Sequence, residues 1–200
     1  MFTGLIVGVG RLASRETRGG DARLTIDVGT LPFDGVQLGE SIAVNGCCLT
    51  VVEFDTSSFA VDASNETLAL TTLGRLAIDA PVNLERAMLP TDRLGGHLVS
   101  GHVDGLAIAA KRWDDARAVR WRITARGALL RYIAHKGSVC VDGVSLTVNE
   151  VDDEGFEVAL IPHTVDHTAF HALREGDAVN IEVDLLARYV ERLLATKDTA

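Results

Sequence analysis

The chain reads as all-β, with two domains in tandem followed by a single helix, and three observations predict this. Asn45-Gly46-Cys47-Cys48-Leu49-Thr50-Val51 returns as Asp142-Gly143-Val144-Ser145-Leu146-Thr147-Val148, and the 97-residue offset holds from Gly4 and Gly101 through Val82-Asn83 and Val179-Asn180. A period this long exceeds the roughly 20–50 residues of solenoid repeats, so each copy is a domain with its own core. Short runs of β-formers between turn signals argue for small antiparallel barrels or sandwiches. The last segment departs from the repeat, with Leu185, Leu186, Tyr189, Val190, Leu193 and Leu194 at helical spacing.

In chain order, strands are expected at 24–28, 59–62 and 82–86, with counterparts at 120–124, 156–160 and 179–183. The segment 41–52 is a hairpin, because two β-rich runs flank Asn45-Gly46, a pair suited to a tight turn of positive φ. The segment 139–148 is the same hairpin with Asp142-Gly143 at its turn. Short helical turns are expected near 67–73, 164–173 and 127–132, where strand alternation lapses. The domains therefore fall at 1–96 and 97–184, with a helix and tail at 185–200. The apolar stripe of that helix would serve either packing on its own barrel or self-association.

Composition narrows the partners. Of 200 residues, 47% are hydrophobic, enough for real cores, and the net charge is −9. That charge, with a pI near 5.1, argues against a nucleic-acid backbone or an anionic membrane surface and favours a small neutral or weakly charged ligand. Three cysteines, two of them adjacent and none in a CxxC, suit a reducing compartment, so the cytoplasm is the expected location. Met1-Phe2-Thr3-Gly4 has no basic region before its apolar residues, and no apolar run reaches 18–20 residues, so neither export nor a membrane span is expected.

No phosphate loop, dinucleotide fingerprint, HExxH or nucleophile elbow occurs in the chain. His163, His167 and His171 fall at i, i+4 and i+8, but Pro162, Thr168 and Ala169 weaken a helix there and no other ligand completes a metal set, so no metal is expected. In the first hairpin Cys48 and Thr50 share one strand face, as do Ser145 and Thr147 in the second. One such polar pair is ordinary on a solvated strand; two at equivalent positions point to paired pockets. His102, Lys136 and Asp184 stand where the first copy has Leu5, Gly39 and Ala87. Charges present in one repeat only are not fold requirements, which makes them candidates for acid, base or electrostatic roles.

These residues resemble a known family. Met1-Phe2-Thr3-Gly4, the two hairpin motifs, Glu66-Thr67, the run from Gly95 to Gly105, Lys136-Gly137, Ile161-Pro162-His163-Thr164 and Val179-Asn180-Ile181-Glu182-Val183-Asp184 are similar, in order and spacing, to riboflavin synthases of the alpha-chain type. The resemblance implies two six-stranded Greek-key barrels and a C-terminal helix that gathers a homotrimer. It implies a dismutation of two 6,7-dimethyl-8-ribityllumazine molecules, one passing four carbons to the other, without metal or redox cofactor. Lumazine synthase is then a candidate partner. Antenna-type proteins that hold one lumazine or flavin without turnover share the architecture and form the rival reading.

Carried over by position, the first barrel's pocket would comprise Gly4, Leu5, Ile6, Cys48, Leu49, Thr50, Asp62, Ala63, Ser64, Asn65, Glu66 and Thr67. The second would comprise Gly101, His102, Val103, Lys136, Ser145, Leu146, Thr147, Ile161, Pro162, His163, Thr164, Val165 and Asp166. The resemblance gives His102 to proton transfer and Cys48, Thr50, Ser145 and Thr147 to activating or positioning a nucleophile, with Ser41 and Asp184 in support.

Overall fold

The computed structural model describes residues 1–195. The tail at 196–200, expected beyond the helix, lies outside the described residues. Among the described residues, twelve strands form two closed barrels. The first contains β1 (Gly8–Arg18), β2 (Asp21–Asp27), β3 (Ser41–Val44), β4 (Cys47–Phe54), β5 (Ser58–Ala63) and β6 (Pro81–Arg86). The second contains β7 (Gly105–Asp115), β8 (Ala118–Thr124), β9 (Ser138–Val141), β10 (Val144–Val151), β11 (Gly155–Leu160) and β12 (Ala178–Val183). Strand order is β1-β2-β5-β4-β3-β6 in one and the equivalent β7-β8-β11-β10-β9-β12 in the other, a Greek key closed by β6 on β1 and by β12 on β7. Closure pairs every strand on both sides and removes sheet edges.

The expected strands and helical turns are present, the latter as α1 (Asn65–Leu70), α2 (Gly127–Leu130) and α3 (Pro162–His167), with short 3₁₀ turns after α1 and α3. Asn45 and Gly46 have φ of 45° and 77°, and Asp142 and Gly143 have 45° and 84°, as a two-residue hairpin with both central residues left-handed requires. Sequence patterning missed β1 and β7, the longest strands. Only their first halves alternate buried and exposed residues, while the charged second halves project into solvent and read as loop.

Each barrel has its own core, around Phe59, Leu24, Ile26 and Leu84 in one and Phe156, Trp121, Ile123 and Ile181 in the other. Fully burying one such side chain contributes about 1.5–3 kcal/mol. A third, small cluster of Phe2, Ala43, Val99 and Cys140 joins the barrels, where Phe2 and Val99 form an antiparallel bridge. Around it runs a reciprocal amide network. Asn83 Nδ2 donates to the Asp142 carbonyl at 2.8 Å, and Asn180 Nδ2 donates to the Asn45 carbonyl at 2.8 Å. Asn83 Oδ1 accepts from Ala169 N–H and Asn180 Oδ1 from Thr72 N–H. Both buried asparagines thus spend donor and acceptor on the opposite barrel, which fixes one relative orientation.

Burial pushes the Asp142 carboxyl up to about 7 from its ordinary 3.8, against the pull of the Asn180 N–H. Because the folded state binds this proton more tightly than the unfolded chain, its cost is absent below pH 3.8, grows as pH rises, and is complete above about pH 7. Asn45 does the same task in the first barrel without a charge, accepting the Asn83 N–H at 2.7 Å. Asp142→Asn is therefore expected to raise the melting temperature by about 2–6 °C at pH 8 and to leave it unchanged at pH 4. An equal gain at both pH values would show that the carboxylate charge is not the source.

The C-terminal helix, α4 (Leu185–Ala195), turns most of its apolar stripe to solvent. Leu186, Tyr189, Val190 and Leu194 are all more than half exposed, so these side chains do not pack on their own barrel. Polar contacts dock the opposite face instead: Arg131 pairs with Glu191, Tyr132 donates to Glu191, and Arg188 pairs with Asp104 at 2.6 Å.

Candidate functional site

On the first hairpin, alternation sends Cys47, Leu49 and Val51 into the core and leaves Cys48 and Thr50 on the outer face. Thr50 lies directly across from Ser41, so these two and Cys48 form one polar strip. The second hairpin repeats it, with Ser145 and Thr147 outward and Thr147 across from Ser138. The predicted Leu49, Leu146 and Ala63 point into the cores, so those positions offer only their main chain to a ligand.

The grouping of the two pockets differs from expectation. The segments that precede the barrels are exchanged: Gly4 and Ile6 belong beside the second hairpin, and Gly101 and Val103 beside the first. Ser145 N–H donates to the Gly4 carbonyl at 2.8 Å, and Cys48 N–H to the Gly101 carbonyl at 2.9 Å. Ile6 packs on the second core and Val103 on the first. The cause is local chain direction. The Phe2–Val99 bridge draws the two segments together between the barrels, and each then runs onto the hairpin opposite its own. Gly4 and Gly101 permit this, with φ of 76° and 79°. A Cβ there would lie 2.6 Å from Ser145 Cβ or 2.5 Å from Cys48 Cβ.

Two buried glutamates hold these segments. Glu85 accepts from Thr3 N–H and Oγ1–H at 2.7 Å and from Gly4 N–H at 3.0 Å; Glu182 accepts from Ser100 N–H, Ser100 Oγ–H and Gly101 N–H at 2.7, 2.6 and 2.9 Å. Burial pushes the Glu85 carboxyl up, and the hydrogen bonds from Thr3 and Gly4 oppose that push. Sequence reasoning missed both roles, although a charged residue at the same place in two apolar strands was a signal.

His97 was also missed. It is buried, and its Nδ1 lies 2.6 Å from Ser145 Oγ. Burial lowers its basicity, against an opposing pull from Asp184 and Glu182. In the tautomer that leaves Nδ1 unprotonated, the ring accepts from the Ser145 hydroxyl, the arrangement by which an imidazole activates a hydroxyl. The first hairpin has no such partner for Cys48 among the described residues. The two hairpin faces are alike in frame and unequal in chemistry.

The remaining predicted residues are dispersed. Asp62 is held in a two-point pair with Arg23, at 2.8 and 2.9 Å, which keeps its carboxyl below the usual range. Ser64 caps α1 through Thr67 N–H, and Asn65 N–H is taken by Asp21. Ile161, His163 and Asp166 are exposed around α3, whose Val165 packs on the second core. His163 and His167 stack at 4.1 Å, but His171 follows in a separate turn, and no group of three side chains among the described residues is placed to hold a metal. Asp184 accepts the Leu186 N–H at the start of α4 as a helix cap. Lys136 has φ of 61° at a turn where its counterpart is Gly39. A non-glycine residue there is strained by about 1–3 kcal/mol, the kind of cost that is retained at functional positions.

A family model for the lumazine binding domain matches the chain twice, at residues 3–87 and 100–184. The chain belongs to the lumazine-binding domain family. Within that family it is 46% identical to a riboflavin synthase of Photobacterium phosphoreum over 97% of this chain and 89% of that protein. It is 45% identical to one of Actinobacillus pleuropneumoniae over 98% and 91%, and 42% identical to one of Bacillus subtilis (strain 168) over 97% and 90%. Among solved structures, LumP complexed with riboflavin superposes with a TM-score of 0.85 at 24% identity, covering 92% of this chain and 99% of that one. That likeness extends the lumazine-binding fold of this chain to a solved example.

Proposed function

We propose that this protein is a riboflavin synthase that converts two molecules of 6,7-dimethyl-8-ribityllumazine into riboflavin and 5-amino-6-(ribitylamino)uracil. The observation that carries the reading is near-full-length identity of 42–46% to riboflavin synthases, on a chain whose duplicated half-sites suit two copies of one substrate. A dismutation requires identical molecules to act differently, and the half-sites differ as required, Cys48 standing alone where Ser145 has His97. Stacking two flat rings in register supplies much of the catalysis, about 7–11 kcal/mol at ideal placement. His102 and the Ser145–His97 pair are the proton-handling groups, and Cys48, Thr50 and Thr147 position the reacting rings. Lys136 and Asp184 add charge at the rim of the second half-site.

The assembly belongs to the same proposal: the exposed stripe of α4 gathers three copies, and each reaction site joins the first barrel of one subunit to the second barrel of the next. Lumazine synthase, which would supply the substrate, is the proposed partner. Free cysteines at 47, 48 and 140 fit a cytoplasmic location.

The test mixes purified protein with 6,7-dimethyl-8-ribityllumazine and follows absorbance for riboflavin. Multiple turnover is expected without added cofactor. Ser145→Ala and His97→Gln should each lower kcat about 10²-fold, with the double variant no worse, since both remove one proton path. Tight binding with an unchanged lumazine spectrum over hours would identify a carrier of the chromophore instead.

A further inference from the structure

The strip around Cys48 is covered by the segment 100–104, and that segment is tied to α4 by one side chain. Arg188 Nη2 donates to the His102 carbonyl at 3.0 Å and to Asp104 Oδ2 at 2.6 Å. The same Asp104 oxygen accepts the Val183 N–H at 2.8 Å, so one carboxylate gathers the end of β12 and the helix. On the other side of His102, Gly101 is anchored by Glu182 and by Cys48. The ion pair is partly sheltered, with Asp104 and Arg188 side chains 19% and 32% exposed, while the bond to the His102 carbonyl is exposed. Burial pushes the Asp104 carboxyl up, while the Val183 N–H and Arg188 pull it back. Such a charge-assisted bond is stronger than a surface ion pair.

The internal repeat serves as a control. Asp104, Arg188 and His102 correspond to Val7, Thr91 and Leu5 in the first copy. The backbone bond from Asp104 N–H to Ile181 recurs as Val7 N–H to Leu84, and the first barrel closes with the same strand order. Barrel closure therefore does not need the side-chain tie. Its presence is confined to the copy that has a histidine to place and a helix to place it from.

We infer that Arg188 is a positioning residue: it pins the main chain at His102 to the C-terminal helix, so that docking of this helix sets the geometry of the segment over Cys48. Whatever covers the apolar stripe on the helix's other face is thereby coupled to the site. This inference rests on the proposed synthase activity.

The test compares Arg188→Met, which keeps the stem and removes both donors, with Asp104→Asn, the double variant and Arg188→Lys. The readouts are kcat and KM for 6,7-dimethyl-8-ribityllumazine, mass by sedimentation, and the His102 amide resonance. Arg188→Met is expected to lower kcat about tenfold with KM changed less than threefold, the mass unchanged and the His102 amide shifted. The double variant should be no worse than Arg188→Met, because both act through one contact, and Arg188→Lys should recover part of kcat. Unchanged kcat in Arg188→Met, or a loss that appears only with a change of mass, overturns the positioning role and leaves the synthase reading intact. Absence of turnover in the wild type overturns that reading, and an unmoved His102 amide in Arg188→Met then overturns the pin as well.

Discussion

Leu186→Asp combined with Val190→Asp is expected to break the protein into single chains and to lower riboflavin formation more than 10²-fold while both barrels stay folded. The two positions are 68% and 55% exposed, so the charges meet water in the isolated chain and leave its cores untouched. In an assembly through the same stripe they would be buried together without partners, at a cost of several kcal/mol per ion. Sedimentation and circular dichroism separate dissociation from unfolding. A variant that sediments as a monomer and retains full turnover would rule out a site shared between subunits. A variant that keeps its oligomeric mass would show that the stripe is not the assembly surface.

Glu182→Leu carries the second large effect. The carboxylate accepts three buried donors from Ser100 and Gly101, and leucine fills the volume without accepting any of them. An unpaired buried donor costs about 1–3 kcal/mol, so the segment that carries His102 is expected to leave its place rather than remain unsatisfied. The expected result is a melting temperature lower by about 5–10 °C, with fast amide exchange at residues 99–103 and turnover lower by at least tenfold. Glu85→Leu should repeat the stability loss but release residues 2–5, which lie beside Ser145. Retained protection at 99–103 in Glu182→Leu would show that the bridge to Val99 and the bond to Cys48 hold the segment without the glutamate.

Much of the fold was legible because the chain states it twice. The offset identified two domains, Asn45-Gly46 and Asp142-Gly143 identified both hairpins, and alternation put Cys48, Thr50, Ser145 and Thr147 on one kind of face. Those are short-range properties: turn conformation and the two-residue period of a strand are set by neighbours a few positions away. The long strands β1 and β7 were not legible, because their projecting halves bury too little to leave a periodic pattern. The stripe on α4 was legible as a stripe, but its direction was not. Arg131, Tyr132 and Asp104 decide that by docking the polar face, and they lie more than fifty residues away in sequence.

What the sequence by itself determined is the duplicated all-β frame, the polar pair on each hairpin and membership of the lumazine-binding family through motifs in order. The tertiary structure alone decided which segment serves which hairpin. It exchanged Gly4 and Gly101 between the barrels and brought His97 to Ser145, Glu182 to Ser100 and Arg188 to His102. Each of these contacts spans some fifty to one hundred and forty residues; the two glycine contacts cross between the barrels, while the other three join the segment before the second barrel to that barrel or to the helix after it. Periodicity records only what a residue's own strand or helix buries; a contact between segments distant in sequence leaves no period, so it becomes visible only when the chain is folded.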